Sequence, residues 1–282
     1  MTTTGAISRD RDVMKVSGDE AATYLQGQIS QDVDGLDVGD AAWSLVLAPS
    51  GKVDVWLRLH RLDSNEFVID VDAGHGEAAR ARLERFKLRT AVEFEARPGW
   101  SMVSVRGPDA ARHPVEAELS AVVTWPGFEG VDHIGLGVTP PAGVPLFDPG
   151  EFEALRIAAG WPRMGYELTP DTIPGEAGGE LMARSVSFTK GCYTGQELVA
   201  RIDSRGGNVP RPVRVLTGPA GSGFRAGAPV HLDGAPVGVV TSAADPRPGE
   251  PALALATVVR RVEAGSEVTV DGVPATVRPV PS

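Results

Sequence analysis

Two Asp-Gly dipeptides constrain this chain more than any other feature. Val230-His231-Leu232 runs into Asp233-Gly234 and on through Ala235 to Val240; Val268-Thr269-Val270 runs into Asp271-Gly272 and on through Val273 to Val277. Asp-Gly suits the two positive-φ positions of a type I′ turn, whose twist matches that of paired strands. Two such hairpins predict an all-β unit. Before them, Arg205-Gly206-Gly207-Asn208-Val209-Pro210-Arg211-Pro212 is rich in turn formers and reads as a linker. Residues 206–282 are therefore expected to form a C-terminal β-barrel domain, set apart from residues 1–205.

The first 205 residues mix both kinds of element. Ser17-Gly18-Asp19-Glu20 has capping-box form and predicts a helix through Tyr24 and Leu25. The spacing of Ala79, Leu83 and Phe86 predicts a second helix from Glu77 to Leu88. A third has Asp148 as N-cap, Pro149 in its first turn, Phe152, Leu155 and Ala159 inward, and Gly160 as its stop. Strand-like runs lie between them at Ser44–Leu47, Val53–Leu59, Phe67–Val71 and Met102–Val105. No regular βαβ spacing joins them, so the expected class is α+β.

Charge narrows the function. Of 27 basic and 37 acidic residues, seven and six fall after residue 205, so the first 205 carry −11 and the tail about +1. A net −10 lacks the basic face a duplex-binding protein needs, and no nucleic-acid partner is expected. The 42% hydrophobic content supports a large core. One cysteine excludes an internal disulfide framework and any metal site built from several thiolates of this chain. An iron–sulfur cluster, if one matters here, is not held by this protein alone. Met1-Thr2-Thr3-Thr4 lacks the basic start of a secretory signal, and Ala252–Val259 is far short of the ~20 residues that span a bilayer. A soluble, cytoplasmic protein is expected.

Nucleotide fingerprints fail on inspection. Ser50-Gly51-Lys52-Val53 has no glycine before it at P-loop spacing, and Gly221-Ser222-Gly223 does not join a strand to a helix. The five histidines (His60, His75, His113, His133 and His231) show no ligand spacing, and no metal site is expected. Arg80, Arg82, Arg85, Lys87 and Arg89 concentrate cations in an acidic region; they suit either a solvated helix face or a local anion site.

The informative stretch runs from Ser187 to Arg201. Thr194-Gly195-Gln196-Glu197 again has capping-box form, placing a short helix just after Tyr193. Cys192 then precedes a helix N-terminus with Lys190 close by, and both features favour a thiolate. Gly191 and Gly195 would let a ligand approach the backbone. The plain alternative is that a lone cysteine is a small buried apolar residue.

Lys190-Gly191-Cys192-Tyr193-Thr194-Gly195-Gln196-Glu197 resembles the signature octapeptide of the YgfZ family of folate-binding proteins, relatives of the glycine-cleavage T-protein, the aminomethyltransferase. The resemblance extends along nearly the whole chain. Tyr24 to Val33 is similar to the family's amino-terminal helix and turn, Leu83 to Arg89 to its middle helix, and Val105 to Ala110 to a Gly-Pro turn shared with T-proteins. Leu155 to Gly160 fits the helix before the signature, and Val239 to Ala243 the carboxy-terminal barrel. The resemblance implies a three-lobed T-protein-like fold: two α+β lobes around a central folate pocket, with the barrel as the third. It implies binding of tetrahydrofolate or a one-carbon derivative. It further implies a supporting role in making or repairing iron–sulfur proteins, including radical enzymes that modify transfer RNA. On this resemblance Cys192 is the functional thiol and Lys190 its neighbour, Tyr193, Gln196 and Glu197 belong to the same site, and Arg156 stands near folate.

The enzyme alternative is aminomethyl (one-carbon) transfer, which needs a carboxylate beside the folate's reactive nitrogen. After the strand Phe67–Val71, Glu77 falls near the T-protein's catalytic aspartate. A third reading, a binding module without a small molecule, predicts no folate affinity. Nothing in the sequence fixes the oligomeric state.

Overall fold

The frame of the first region is one long strand. In the computed structural model, which describes residues 3–244 and 249–281, β1 spans Gly5–Ser17. It changes partners along its length. Its first part pairs with β6 (Trp100–Arg106); its second pairs with β4 (Glu66–Asp72) on one side and β5 (Glu93–Ala96) on the other. With β2 (Ala41–Leu47), β3 (Val53–Asp63), β7 (Leu119–Val123) and β8 (Gly130–Leu136), the result is an eight-stranded sheet. Its order is β2-β3-β4-β1-β6-β8-β7, with β5 beside β1. The predicted strands all lie inside these elements.

One face of the β2-β3-β4-β1 half carries α1 (Ala21–Gln28) and α2 (Gly76–Arg85). Tyr24, Leu25, Ala79 and Leu83 from the helices meet Val55, Leu57, Leu59, Phe67, Ile69 and Val71 from the strands. Each such apolar side chain contributes about 1.5–3 kcal/mol on burial. Strand alternation turns Trp56, Arg58, His60 and Asp70 to the opposite face, inside the curl of the sheet.

Two helix ends differ from expectation. Ser17 is the last residue of β1, and Gly18 turns the chain at φ 131°, so no capping box forms at Ser17. Glu20 takes the N-cap position, and its carboxylate accepts instead from Ala91 N, 2.7 Å away. The helix through Tyr24 and Leu25 is present all the same. The second helix stops at Arg85, three residues before Leu88, which has φ 48° and lies exposed. Helix α3 (Pro149–Ala158) follows the sequence reading: Asp148 accepts from Gly150 N and Gly160 stops the chain at φ 64°.

After α4 (Gly179–Ser185) and α5 (Gln196–Ser204), six strands close a barrel in the order β10-β11-β12-β9-β14-β13. They are β9 (Val213–Gly218), β10 (Pro229–Leu232), β11 (Ala235–Ala244), β12 (Ala252–Val258), β13 (Glu267–Val270) and β14 (Val273–Arg278). Both Asp-Gly turns form, with Asp233 and Gly234 at φ 51° and 77°, and Asp271 and Gly272 at 49° and 84°. Among the described residues, no helix is long and apolar enough to cross a membrane. Met1 and Thr2 of the amino-terminal stretch lie outside the described residues.

Arg156 and Glu167 fasten the barrel to α3 and the loop that follows it. Glu167 is buried; one of its carboxylate oxygens accepts from Thr241 (2.7 Å) and Ser242 (2.6 Å) on β11. The other accepts from Arg156 (3.2 Å) and from Arg163 N (3.1 Å). Ile157 packs beside them on Val213, Val215 and Leu255. Glu167→Ala leaves a buried guanidinium and the Ser242 hydroxyl short of an acceptor, so we expect a loss of about 3–5 kcal/mol, read from urea unfolding.

Candidate functional site

Two segments that sequence analysis treated separately form one structural unit. The stretch from Val186 to Gly195 wraps around the turn that follows α1. Ser187 N donates to Ser30 O at 2.9 Å, and Thr194 N donates to Gly27 O at 3.2 Å. Lys190 provides the central tie. Its ammonium donates to the carbonyls of Gln26 (2.7 Å), Ile29 (2.9 Å) and Gln31 (2.7 Å), which uses all three of its protons. Burial lowers its pKa to about 8, against the opposing pull of Asp32 and Asp34. The ammonium also lies 5.3 Å from the centre of the Tyr193 ring.

Tyr193 itself is buried in an apolar cluster, and burial pushes its hydroxyl up to about 12. The expected Thr194 capping box does not form. Gly195 occupies the N-cap at φ 82°, where a Cβ would meet Ala48 O at 2.5 Å and Leu47 Cβ at 2.7 Å. Backbone crowding therefore selects glycine here, and Gln196 reaches back to accept from Tyr193 N at 3.1 Å. Glu197 points into solvent from the first turn of α5.

Cys192 is a free, exposed thiol. On either side of this junction, Gly27 and Gly191 have open space where a Cβ would stand, and neither has a positive φ. Arg156 is not part of this unit. It is buried in α3, with Glu153 on two nitrogens (2.9 and 2.7 Å) and Trp161 O and Glu167 on a third. The cations in and after α2 disperse as well: Arg82 pairs with Asp54 at 2.8 Å, Arg80 leans toward Glu84, and Arg85 and Arg89 face solvent.

A cavity of about 300 Å³ lies where the curled sheet brings its two edge strands, β2 and β7, to face each other. Trp43 lines it from β2, Val122 and Val123 from β7, with Thr124, Trp125 and Trp161 beside them and Arg184 across the top. Trp43 stacks on Trp56 at 4.3 Å between centroids, and Trp161 lies within 4.9–5.3 Å of Trp43, Trp56 and Trp125. Arg184 donates to Glu180 (2.7 Å), to Thr124 O (2.9 Å) and to the Thr124 hydroxyl. Sequence reasoning missed these residues because the indoles come from three separated segments with no shared period. The cavity adjoins the signature loop: Gln31 donates to Arg184 O at 2.9 Å, while Trp56 and Ser30 both bond to Ser185.

Beneath the indoles, charge fills the curl of the sheet. Asp70 on β4 accepts from Arg11 on β1 (2.6 and 2.9 Å) and from Arg58 (3.0 Å) and His60 (2.8 Å) on β3. Asp132 on β8 accepts from Arg58 (2.9 Å) and Ser104 (2.7 Å) and pairs with Arg106 (2.8 Å). Arg11 also bonds Asp72. Burial alone would raise the Asp70 and Asp132 carboxyls, but the neighbouring guanidiniums hold both below the usual range. An ionised Asp70 only accepts, so His60 Nε2 carries the proton toward it. Burial lowers the His60 pKa despite that bond, so the ring stays neutral.

Comparison with known proteins places the chain. No family model matches it. It is 31% identical to the tRNA-modifying protein YgfZ of Klebsiella pneumoniae, over 77% of this chain and 72% of the relative. The chain belongs to the YgfZ family. The family's kinship with aminomethyltransferases also appears: the aminomethyltransferase of Corynebacterium aurimucosum is 28% identical over 91% of this chain and 79% of its own length. The crystal structure of glycine cleavage system aminomethyltransferase T from Bartonella henselae superposes with a TM-score of 0.83. It covers 99% of this chain and 86% of its own at 21% identity, and so gives the fold. The three-lobed, T-protein-like α+β fold read from the signature is thus the fold of this YgfZ-family chain.

Two measurements probe this architecture. Lys190→Met strips the donors from three carbonyls; we expect a loss of about 1–3 kcal/mol in urea unfolding and faster alkylation of Cys192. A histidine whose pKa is depressed by folding takes up its proton first in the unfolded state. Stability should therefore fall as pH drops below about 6.5, by at most ~1.4 kcal/mol per unit for His60. Urea unfolding at pH 7.5 and 5.5 should show a smaller difference in His60→Asn than in the parent protein.

Proposed function

We propose that this chain binds tetrahydrofolate or a one-carbon derivative in the indole-lined cavity and, through Cys192, assists the assembly or repair of iron–sulfur proteins in the cytoplasm. The observation that carries the reading is the cavity itself. Trp43, the partly exposed indole at its rim, suits contact with a flat pterin ring, and Arg184 suits a carboxylate of the glutamyl tail. Its volume lies at the lower end of small-molecule sites, enough for the pterin with the tail extending outward.

The thiol is the second part of the reading. Cys192 is exposed, it is the only cysteine of the chain, and the open faces of Gly27 and Gly191 leave room for another molecule to reach it. A single thiol has no resolving partner in its own chain. Its natural target is therefore a partner's cluster or a labile sulfur species on a client protein. Relatives are named tRNA-modifying proteins. With a net charge of −10, this chain's route to such modification runs through a protein client and not through direct grip on RNA.

Aminomethyl transfer is the weaker reading. Among the described residues no carboxylate lines the indole cavity, and Glu77 lies exposed in the first turn of α2, on the other side of the sheet. Proton transfer at a bound folate has no group positioned for it there.

Calorimetric titration with tetrahydrofolate tests the pocket. The reduced protein and Cys192→Ala should bind alike, and Trp43→Ala should bind at least about tenfold more weakly, a difference of ~1.4 kcal/mol. Absence of saturable binding to the parent protein overturns the folate assignment. In a deletion strain, Cys192→Ser should fail to restore iron–sulfur enzyme activity; full restoration removes the thiol from the mechanism.

A further inference from the structure

On the helix-bearing side of the sheet, away from the indoles, lies a second cavity of about 310 Å³. A slip in strand register creates it. β5 pairs with β1 as far as Met14↔Ala96, and β6 resumes at Asp10↔Ser101. The three residues from Arg11 to Val13 are thus opposed by the four from Arg97 to Trp100, a β-bulge with one extra residue. Pro98 has no N–H to offer the ladder, and Gly99 turns away at φ 80°. The sheet opens between them, with the start of α2 as a roof.

The charges in this opening divide into two sets. Asp12 is committed to Gly76 N at 2.7 Å, and Arg11 to Asp70 and Asp72. Glu77, by contrast, has no hydrogen-bond or ion-pair partner among the described residues. Arg80, one turn along the same helix face, has its Nε buried without an acceptor. Glu84 Oε1 is 3.3 Å from that nitrogen but is not aligned for a hydrogen bond. Arg97 faces them from the bulge, held at its outer edge by Glu95 at 3.1 Å. Trp100 and Pro98 supply an apolar wall.

A simple anion would meet the unpaired Glu77, and a simple cation would meet two guanidiniums. A ligand carrying both charges on neighbouring atoms satisfies the set. We propose that this cavity binds an α-amino acid with an aromatic or large apolar side chain. Its carboxylate lies on Arg80 and Arg97, its ammonium on Glu77, and its side chain against Trp100 and Pro98. The site is independent of the folate pocket.

The test is calorimetric titration of the full-length protein with L-phenylalanine. It is repeated with 3-phenylpropanoate, which lacks the ammonium, and with phenethylamine, which lacks the carboxylate. L-phenylalanine should saturate with a Kd of about 1 mM or tighter, and each half-ligand should bind at least about tenfold more weakly. Glu77→Gln and Arg80→Gln, both on the helix surface, should each weaken L-phenylalanine about tenfold while circular dichroism stays unchanged. Trp43→Ala should bind it as the parent does. No saturation by L-phenylalanine overturns the site. Equal binding of 3-phenylpropanoate with no effect of Glu77→Gln overturns the zwitterion assignment. Loss of binding in Trp43→Ala alone moves the ligand to the indole cavity and overturns the location.

Discussion

The interior of the curled sheet is held by charge, and the rest of the structure follows from that constraint. Three guanidiniums (Arg11, Arg58 and Arg106) and three carboxylates (Asp70, Asp72 and Asp132) meet there, contributed by β1, β3, β4, β6 and β8. A buried ion is costly unless paired, so each strand must stay where its partner is. Asp70 alone joins three adjacent strands. An apolar filling would tolerate small shifts in register; a closed set of ion pairs tolerates far less. Arg9 adds a fourth guanidinium, 3.8 Å from Asp72, and burial keeps His60 neutral beside Asp70.

That rigid interior determines where the sheet ends. Its two outermost strands are brought to face each other, and Trp43 on β2, Trp125 just past β7 and Trp161 after α3 converge at the mouth. Arg58 belongs to both layers: it bonds Asp70 and Asp132 below and lies 4.9 Å from the centre of the Trp43 ring above. The aromatic walls of the cavity thus rest on the ionic core. Lys190 repeats the principle at the surface. A half-buried ammonium finds three carbonyls at the end of α1, and that arrangement presents Cys192 beside two glycines whose outer faces are open.

The local features of the sequence were legible where local physics decides them. Asp148 and Pro149 start α3, and both Asp-Gly pairs turn hairpins, because a cap or a turn is made by residues adjacent in sequence. The two apparent capping boxes fail for tertiary reasons. At Ser17 the pairing of β1 extends through that residue and outcompetes the cap. At Thr194 the close approach of Ala48 and Leu47 puts a left-handed glycine at the N-cap instead. Helix α2 ends early because Leu88, in an unusual positive φ, leaves the helix for an exposed turn.

By itself, then, the sequence determined the α+β class, the barrel with its two hairpins, the signature octapeptide with its single thiol, and through that octapeptide the family. These depend on neighbours along the chain or on a matched string of residues. Only the tertiary structure decided that Lys190 serves carbonyls about 160 residues away, that Arg156 joins α3 to the barrel through Glu167, and that Trp43, Trp125 and Trp161 share a cavity. The physical reason is one of distance along the chain. Periodicity reports which face of an element is apolar, but it carries no information about which buried side chain from a distant element will complete the hydrogen bonds or stack on the ring.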